Sequence, residues 1–348
     1  MLFRSIVASP VPLGDIVFAP TRERPMLALR AGGRGDVTHT HRLWSTDNGP
    51  DVPTPVTDGE FIYAFYGTGD LFCVDREGGL VWQRSLASEY GVFENRFGHT
   101  SSPALHGEML LLQCDHYGSS YLLAVDKRTG ENRWKADRPG VWHSWSSPQV
   151  VGEGETASVV VCAAERMDAY ELRSGKLQWT VRGLQRECIP TPVLGHGLIY
   201  TVSGPKGAVI AVRPDGTGDV SDSHVVWQNR RGSSYVPSAV LVGKHYYLVD
   251  DAGIATCLDA ETGKQLWRQR LGGSFTASPI AGDGKVYFTN DDGETYVVRA
   301  EHNSFEQLAR NALGEPVYAS PIVSQGCLYV RTPQHLYCIT ELLPAGKQ

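Results

Sequence analysis

No run of 18 apolar residues occurs anywhere in this 348-residue chain, so no membrane-spanning helix and no membrane insertion are expected. Acidic residues outnumber basic ones and leave a net charge of −6, without the basic footprint of a nucleic-acid binder. The phosphate-cradling GxxxxGK[ST] loop is missing, as are the HExxH zinc helix and the GxSxG nucleophile elbow. Seven cysteines are present, yet none are adjacent and no CxxC occurs, which excludes zinc ribbons and dithiol redox motifs. The odd count suits a reducing compartment slightly better than a disulfide framework. The N-terminus, MLFRSIVASPVPLGD, has one arginine and a broken apolar run where a signal peptide would carry its core. The chain reads as starting inside a repeat, and any targeting segment is expected upstream of Met1.

What the chain does contain is self-similarity. The segment SPIAGDGKVYFTNDDGETYVVRA from Ser278 is three short β-rich runs separated by Gly-Asp-Gly and Asp-Asp-Gly turns. The stretch before it, CLDAETGKQLWRQRL, supplies a fourth run with a Thr262-Gly263 turn and Trp267 in the strand. The opening Ser/Thr-Pro recurs at Ser9, Thr54, Ser102, Ser147, Thr191, Ser278 and Ser320, with a weaker copy at Ser238-Ala239. The tryptophan recurs at Trp44, Trp82, Trp134, Trp179, Trp227 and Trp267, with Leu308 in the seventh place. Successive openings are 40 to 48 residues apart. Two registers marching together at that period predict an all-β β-propeller of four-stranded antiparallel blades, eight most simply and seven as the alternative. Residues 1–348 then form one domain, with units starting near 9, 54, 102, 147, 191, 238, 278 and 320. The N-terminal strand at 2–8 is expected to close the last blade, removing two exposed edges. The tryptophans are read as scaffold, large flat rings filling the widening gap between blades.

The elements AVDKRTGENRW (Ala124 to Trp134) and LDAETGKQLW (Leu258 to Trp267) resemble the tryptophan-docking repeat of pyrroloquinoline-quinone (PQQ) enzymes, A-x-D-x-x-TG-x-x-x-W. Looser copies are AYELRSGKLQW and CVDREGGLVW. The resemblance runs over nearly the whole chain and extends to the bacterial PQQ-like repeat propellers, including the propeller lipoprotein of the outer-membrane barrel-assembly machine (BamB-like proteins). It implies a propeller of the bacterial periplasm or cell envelope that works by binding protein. Most such proteins bind no quinone, and the vicinal disulfide, calcium triad and long cover loops of the true dehydrogenases have no counterpart here. No cofactor is therefore expected, PQQ with calcium being the alternative, and the chain is read as more a binder than an enzyme.

The loops expected on one face, the funnel mouth, are chemically rich. EYGVFENRFGHTSSP and RPGVWHSWSSP carry Arg96, His99, Trp142, His143 and Trp145. Neighbouring loops add Asp115, His116, Arg186, Glu187 and Cys188, and later blades place Tyr235, Phe275 and Tyr318 at comparable positions. Such a ring can hold a peptide or small ligand. His99, His116 and His143 with Glu187 or Asp115 have the chemistry of divalent-metal ligands. The plain structural alternative is that the loops cover one another, each imidazole bonded to a backbone carbonyl. Asp250-Asp251-Ala252-Gly253 and Asn290-Asp291-Asp292-Gly293 lack EF-hand spacing and read as hairpin turns. Cys73, Cys257 and Cys338 share one strand position and read as small buried apolar residues, with Cys188 the one cysteine expected to be exposed. Three functions follow in order: a scaffold for a protein or peptide, a PQQ-dependent dehydrogenase using Arg96 and Arg186, and a glycan binder stacking sugars on Trp142, Trp145 and Tyr318.

Overall fold

The computed structural model describes residues 8–20, 26–46, 49–50, 52–95, 98–204, 207–230 and 233–340. They form eight sheets in chain order, six of four strands, one of five and one of three, antiparallel except that Gly218–Asp219 adds a parallel fifth strand to blade 4. Blade 6 is representative: Val240–Val242, His245–Val249, Ile254–Asp259 and Gln265–Arg270 pair in sequence order. The opening strands of blades 1 to 8 begin at Val11, Val56, Ala104, Gln149, Val193, Val240, Ile280 and Ile322, each two residues after its Ser or Thr. The only helix of note among the described residues is Leu86–Tyr90, far too short to cross a membrane. Gln325 Nε2 donates to Gly14 O at 3.0 Å, joining blade 8 to blade 1. The fold is an eight-bladed propeller.

Two hydrogen-bond series explain the repeat. Near the axis, the N–H of each opening Ser or Thr donates to the hydroxyl of the next one: Ser9 to Thr54, Thr54 to Ser102, Ser102 to Ser147, then on through Thr191, Ser238 and Ser278 to Ser320. Seven bonds of 2.9–3.4 Å therefore run around the ring. The N–H of the Ser or Thr before an inner strand has no strand to pair with, so it needs a side-chain acceptor, and the hydroxyl of the next blade's Ser or Thr supplies it. Ser238 keeps the hydroxyl although its proline has become Ala239, which identifies the hydroxyl as the part the ring needs.

At the rim, each tryptophan docks on the following blade. The indole Nε1 of Trp134 donates to Leu172 O at 2.9 Å, that of Trp82 to Lys127 O at 3.0 Å, and that of Trp227 to Ala260 O at 2.9 Å. The ring lies over the glycine of the next turn: a Cβ on Gly130 (φ +74°) would sit 2.8 Å from Trp82. Beside each tryptophan the fourth strand carries a bulge, with Arg133 the extra residue between Asn132 and Trp134, or Leu266 between Gln265 and Trp267. The bulge adds local twist where the blade turns outward.

Three expectations are corrected. In blade 7 the tryptophan register is held by Ala309, paired with Val297, and Leu308 points outward; a one-residue slip moves a side chain to the other face of a strand. Cys188 is fully buried, its Sγ 3.0 Å from Ala163 O, because its loop folds under the funnel surface. Cys73 and Cys257 are buried, but Cys338 is exposed. It lies on Leu336–Ile339, the outermost strand of blade 8 among the described residues. The proposed closing strand at 2–8 lies, apart from Ala8, outside the described residues.

Candidate functional site on the funnel face of blades 2 to 4

Beneath the funnel loops lies a charged network that ties blade 3 to blade 4. Arg138, just after the strand Asn132–Asp137, has a fully buried side chain. Its Nε is 2.8 Å from Asp115 Oδ1 and its Nη1 is 3.1 Å from Asp168 Oδ2, and both carboxylates are equally buried. Nη1 also donates to Tyr170 Oη at 3.0 Å. Arg166 approaches Asp168 at 2.9 Å, Thr180 donates to Asp168, and Gln113 Nε2 donates to both Asp115 Oδ2 and Cys162 O. Two cations and two anions thus share one dry interface, and the planar guanidinium reaches both blades. Asp115, a candidate ligand by sequence, is fully engaged here. Arg138, Arg166 and Asp168 were not singled out by the sequence, since nothing in a linear pattern says that charges on different strands meet.

The three histidines are inward-facing. His99 is sandwiched by Phe65 (4.2 Å between centroids) and Phe93 (5.1 Å), and its Nε2 lies 3.0 Å from Ser101 O. Burial pushes its pKa down to about 3, so the ring is neutral. His116 Nδ1 accepts the N–H groups of Gly118 and Glu94, which puts its proton on Nε2. His143 rests between Tyr117 (5.0 Å) and Trp145 (4.8 Å). Burial lowers the pKa of both. Trp145 is buried, its backbone N–H bonded to Cys188 O at 2.9 Å. Phe275 is core, packed among Tyr247, Phe288 and Tyr296 of blades 6 and 7. Among the described residues, no three carboxylate, imidazole or thiol groups converge as a metal would require.

The outermost layer is different. Trp142 is 49% exposed, Tyr117 55% and Val92 73%. They belong to one surface: Tyr117 N–H donates to Glu94 O at 3.0 Å, and the Tyr117 ring meets His143, the neighbour of Trp142. The Arg186 guanidinium lies 5.8 Å from the Trp142 ring centroid and 3.4 Å from Glu165. Glu187 accepts a hydrogen bond from Tyr235 Oη and lies near enough to His143 for its charge to favour the protonated imidazole, and Tyr235 packs over Gly204. Tyr318 is half-buried in the loop before blade 8. Arg96 lies outside the described residues. Of the groups named for PQQ or a metal, Arg186 is turned to Trp142 and Glu165, and Glu187 is held by Tyr235.

A family model described as outer membrane protein assembly factor BamB matches residues 2–146, 97–229 and 206–307. The BamB of Yersinia pestis is 22% identical over 344 residues, which are 92% of this chain and 81% of that protein. The BamB of Burkholderia pseudomallei is 28% identical over 116 residues, covering 32% of this chain and only 29% of that relative. Among solved structures, BamB from Moraxella catarrhalis superposes with a TM-score of 0.70 at 15% identity, covering 96% of this chain and 94% of that one. A quinohemoprotein alcohol dehydrogenase from Comamonas testosteroni gives 0.71 at 13% identity, covering 94% and 70%. At such identities both superpositions concern the fold alone. Matched from residue 2 to residue 307, with the repeat and its docking tryptophans in register, this chain belongs to the family of outer membrane protein assembly factor BamB.

Proposed function

We propose that the protein is a non-catalytic scaffold of the bacterial envelope that binds a protein partner through the funnel face of blades 2 to 4. The observation that carries this reading is the exposed trio Val92, Tyr117 and Trp142 on three successive loops. The other large exposed apolar residues are mainly scattered on outer strands, as Leu80, Leu177 and Val226 are. Aromatic side chains beside an arginine, over a rigid base, are the usual make-up of binding hot spots. The buried Arg138 network provides that base. Family membership supports the setting, since the relatives are named for outer membrane protein assembly.

Site-specific crosslinking tests it. A photoreactive residue at Trp142 or Tyr117 should yield a specific adduct with a subunit of the host's barrel-assembly machine, and one at Leu177 on the rim should not. Equal adducts from rim and funnel, or none from the funnel, would remove the assignment.

A further inference from the structure

Arg331 is the last residue of Cys327–Arg331, the second strand of blade 8, at its funnel end. It is more than nine-tenths buried, at 7% exposure, and its Nε has no partner. Among the described residues its guanidinium makes no ion pair and no hydrogen bond. Glu315, the acid bonded to the adjoining hairpin, is taken up by Thr332 Oγ1 (2.5 Å), His335 Nδ1 (2.7 Å) and Tyr337 Oη (2.7 Å).

The repeat makes this residue an outlier. In each blade, one residue of the second strand stands opposite the third-strand residue that faces the tryptophan register, as Tyr63 faces Cys73 and Trp82, or Tyr247 faces Cys257 and Trp267. Two residues further on stand Phe65, Gln113, Cys162, Val202, Val249 and Thr289 in blades 2 to 7. In blade 8, Tyr329 faces Cys338, and two residues on stands Arg331. The position looks toward the following blade: Gln113 reaches Cys162 O, and Cys162 Sγ lies 3.3 Å from Thr201 Oγ1. The same register sets Arg331 against Ala19 and Pro20 of blade 1, buried residues with no polar side chain to offer.

A guanidinium does not shed its proton at physiological pH, and a buried ion without a counter-ion costs several-fold more than a paired one. Burial pushes the pKa of Arg331 down with no opposing charge to restore it. We propose that Arg331 is the anchor of an oxyanion site between blades 8 and 1, opening on the funnel, that takes a small carboxylate or phosphate. The guanidinium fork matches either group through paired N–H···O bonds. This site is separate from the partner surface on blades 2 to 4 and stands whether or not that surface is a docking face.

The test compares thermal midpoints of the full chain, wild type and Arg331→Met, in chloride, succinate and inorganic phosphate at matched ionic strength. The methionine keeps length and removes the charge, so in chloride the variant is expected to melt at or above the wild type. Succinate or phosphate should raise the wild-type midpoint saturably and leave the variant unmoved, reversing their order. Arg331→Lys should retain the response with about tenfold weaker apparent affinity, since an ammonium cannot form the paired bonds. A response restricted to one anion supports the site and tells whether a carboxylate or a phosphate is held. No saturable response in the wild type, or an equal one in Arg331→Met, overturns it. So does thermodynamic coupling of Arg331→Met to Glu23→Gln or Asp51→Asn, two acids outside the described residues, which would assign the counter-ion to the chain itself.

Discussion

Replacing Arg138 by methionine strikes the joint between blades 3 and 4. The substitution leaves the carboxylates of Asp115 and Asp168 without side-chain exposure, Asp168 paired with Arg166 alone and Asp115 with no cation, only the Gln113 amide. Removing one partner of a buried ion pair costs about 3–5 kcal/mol, because the other charge stays buried and uncompensated. At roughly 2.1 cal/mol/K of unfolding entropy per residue, 348 residues give about 0.7 kcal/mol/K, so the midpoint should fall by ~4–7 °C. Arg138→Lys should lose less but not nothing, since one ammonium cannot span Asp115 and Asp168 together. The triple variant Arg138→Met, Asp115→Asn, Asp168→Asn should recover part of the loss, because the orphaned charges go with the arginine. Urea unfolding followed by tryptophan fluorescence reads all three. A change within about 0.5 kcal/mol for Arg138→Met, the range of a neutral surface substitution, would refute the network as a structural tie, as would a triple variant no more stable than the single one.

Further expectations concern the rest of the scaffold and its surface. Trp134→Ala should cost about 3–5 kcal/mol, and Trp44→Ala less, since Trp134 is buried and Trp44 is half-exposed; denaturant midpoints compare them. Gly130→Ala forces a Cβ onto a residue at φ +74° and into the Trp82 ring, and about 1–3 kcal/mol should be lost in the same assay. Because burial holds His99 near 3 in the folded state against about 6.5 unfolded, the unfolded chain takes up the proton first. The stability it bears on is complete above about pH 6.5 and falls as the pH drops toward 3, by up to about 1.4 kcal/mol per pH unit. His99→Phe should flatten that part of the profile, measured as urea midpoints between about pH 7 and pH 4. Trp142→Ala and Tyr117→Ala should stay within about 0.5 kcal/mol of the wild type in stability while reducing partner capture, which separates a surface role from a structural one.

The candidate site was legible only in outline. The loops were found because they interrupt the repeat with unusual residues, and Trp142 and Arg186 do reach the surface there. His99, Asp115 and His143 sit on the same loops, and Phe275 on the loop between blades 6 and 7, yet their side chains turn inward, because a polar or aromatic residue reads the same in sequence whether it faces solvent or a neighbouring blade. Arg331 carries a sequence signal, a charge where six other blades place Phe, Gln, Cys, Val or Thr, but it emerges only once strand pairing has aligned the copies.

The sequence alone determined the architecture, since a blade cannot bury its two faces without neighbours and the Ser/Thr-Pro and tryptophan registers recur once per blade. Even the residue types were set there, a hydroxyl before each inner strand and an indole in six of the eight blades. Tertiary structure decided which charges meet, which histidines are neutral and which aromatics stay in water. Those outcomes depend on contacts between neighbouring blades, such as Arg138 with Asp168, and such contacts exist only once the blades have packed on one another.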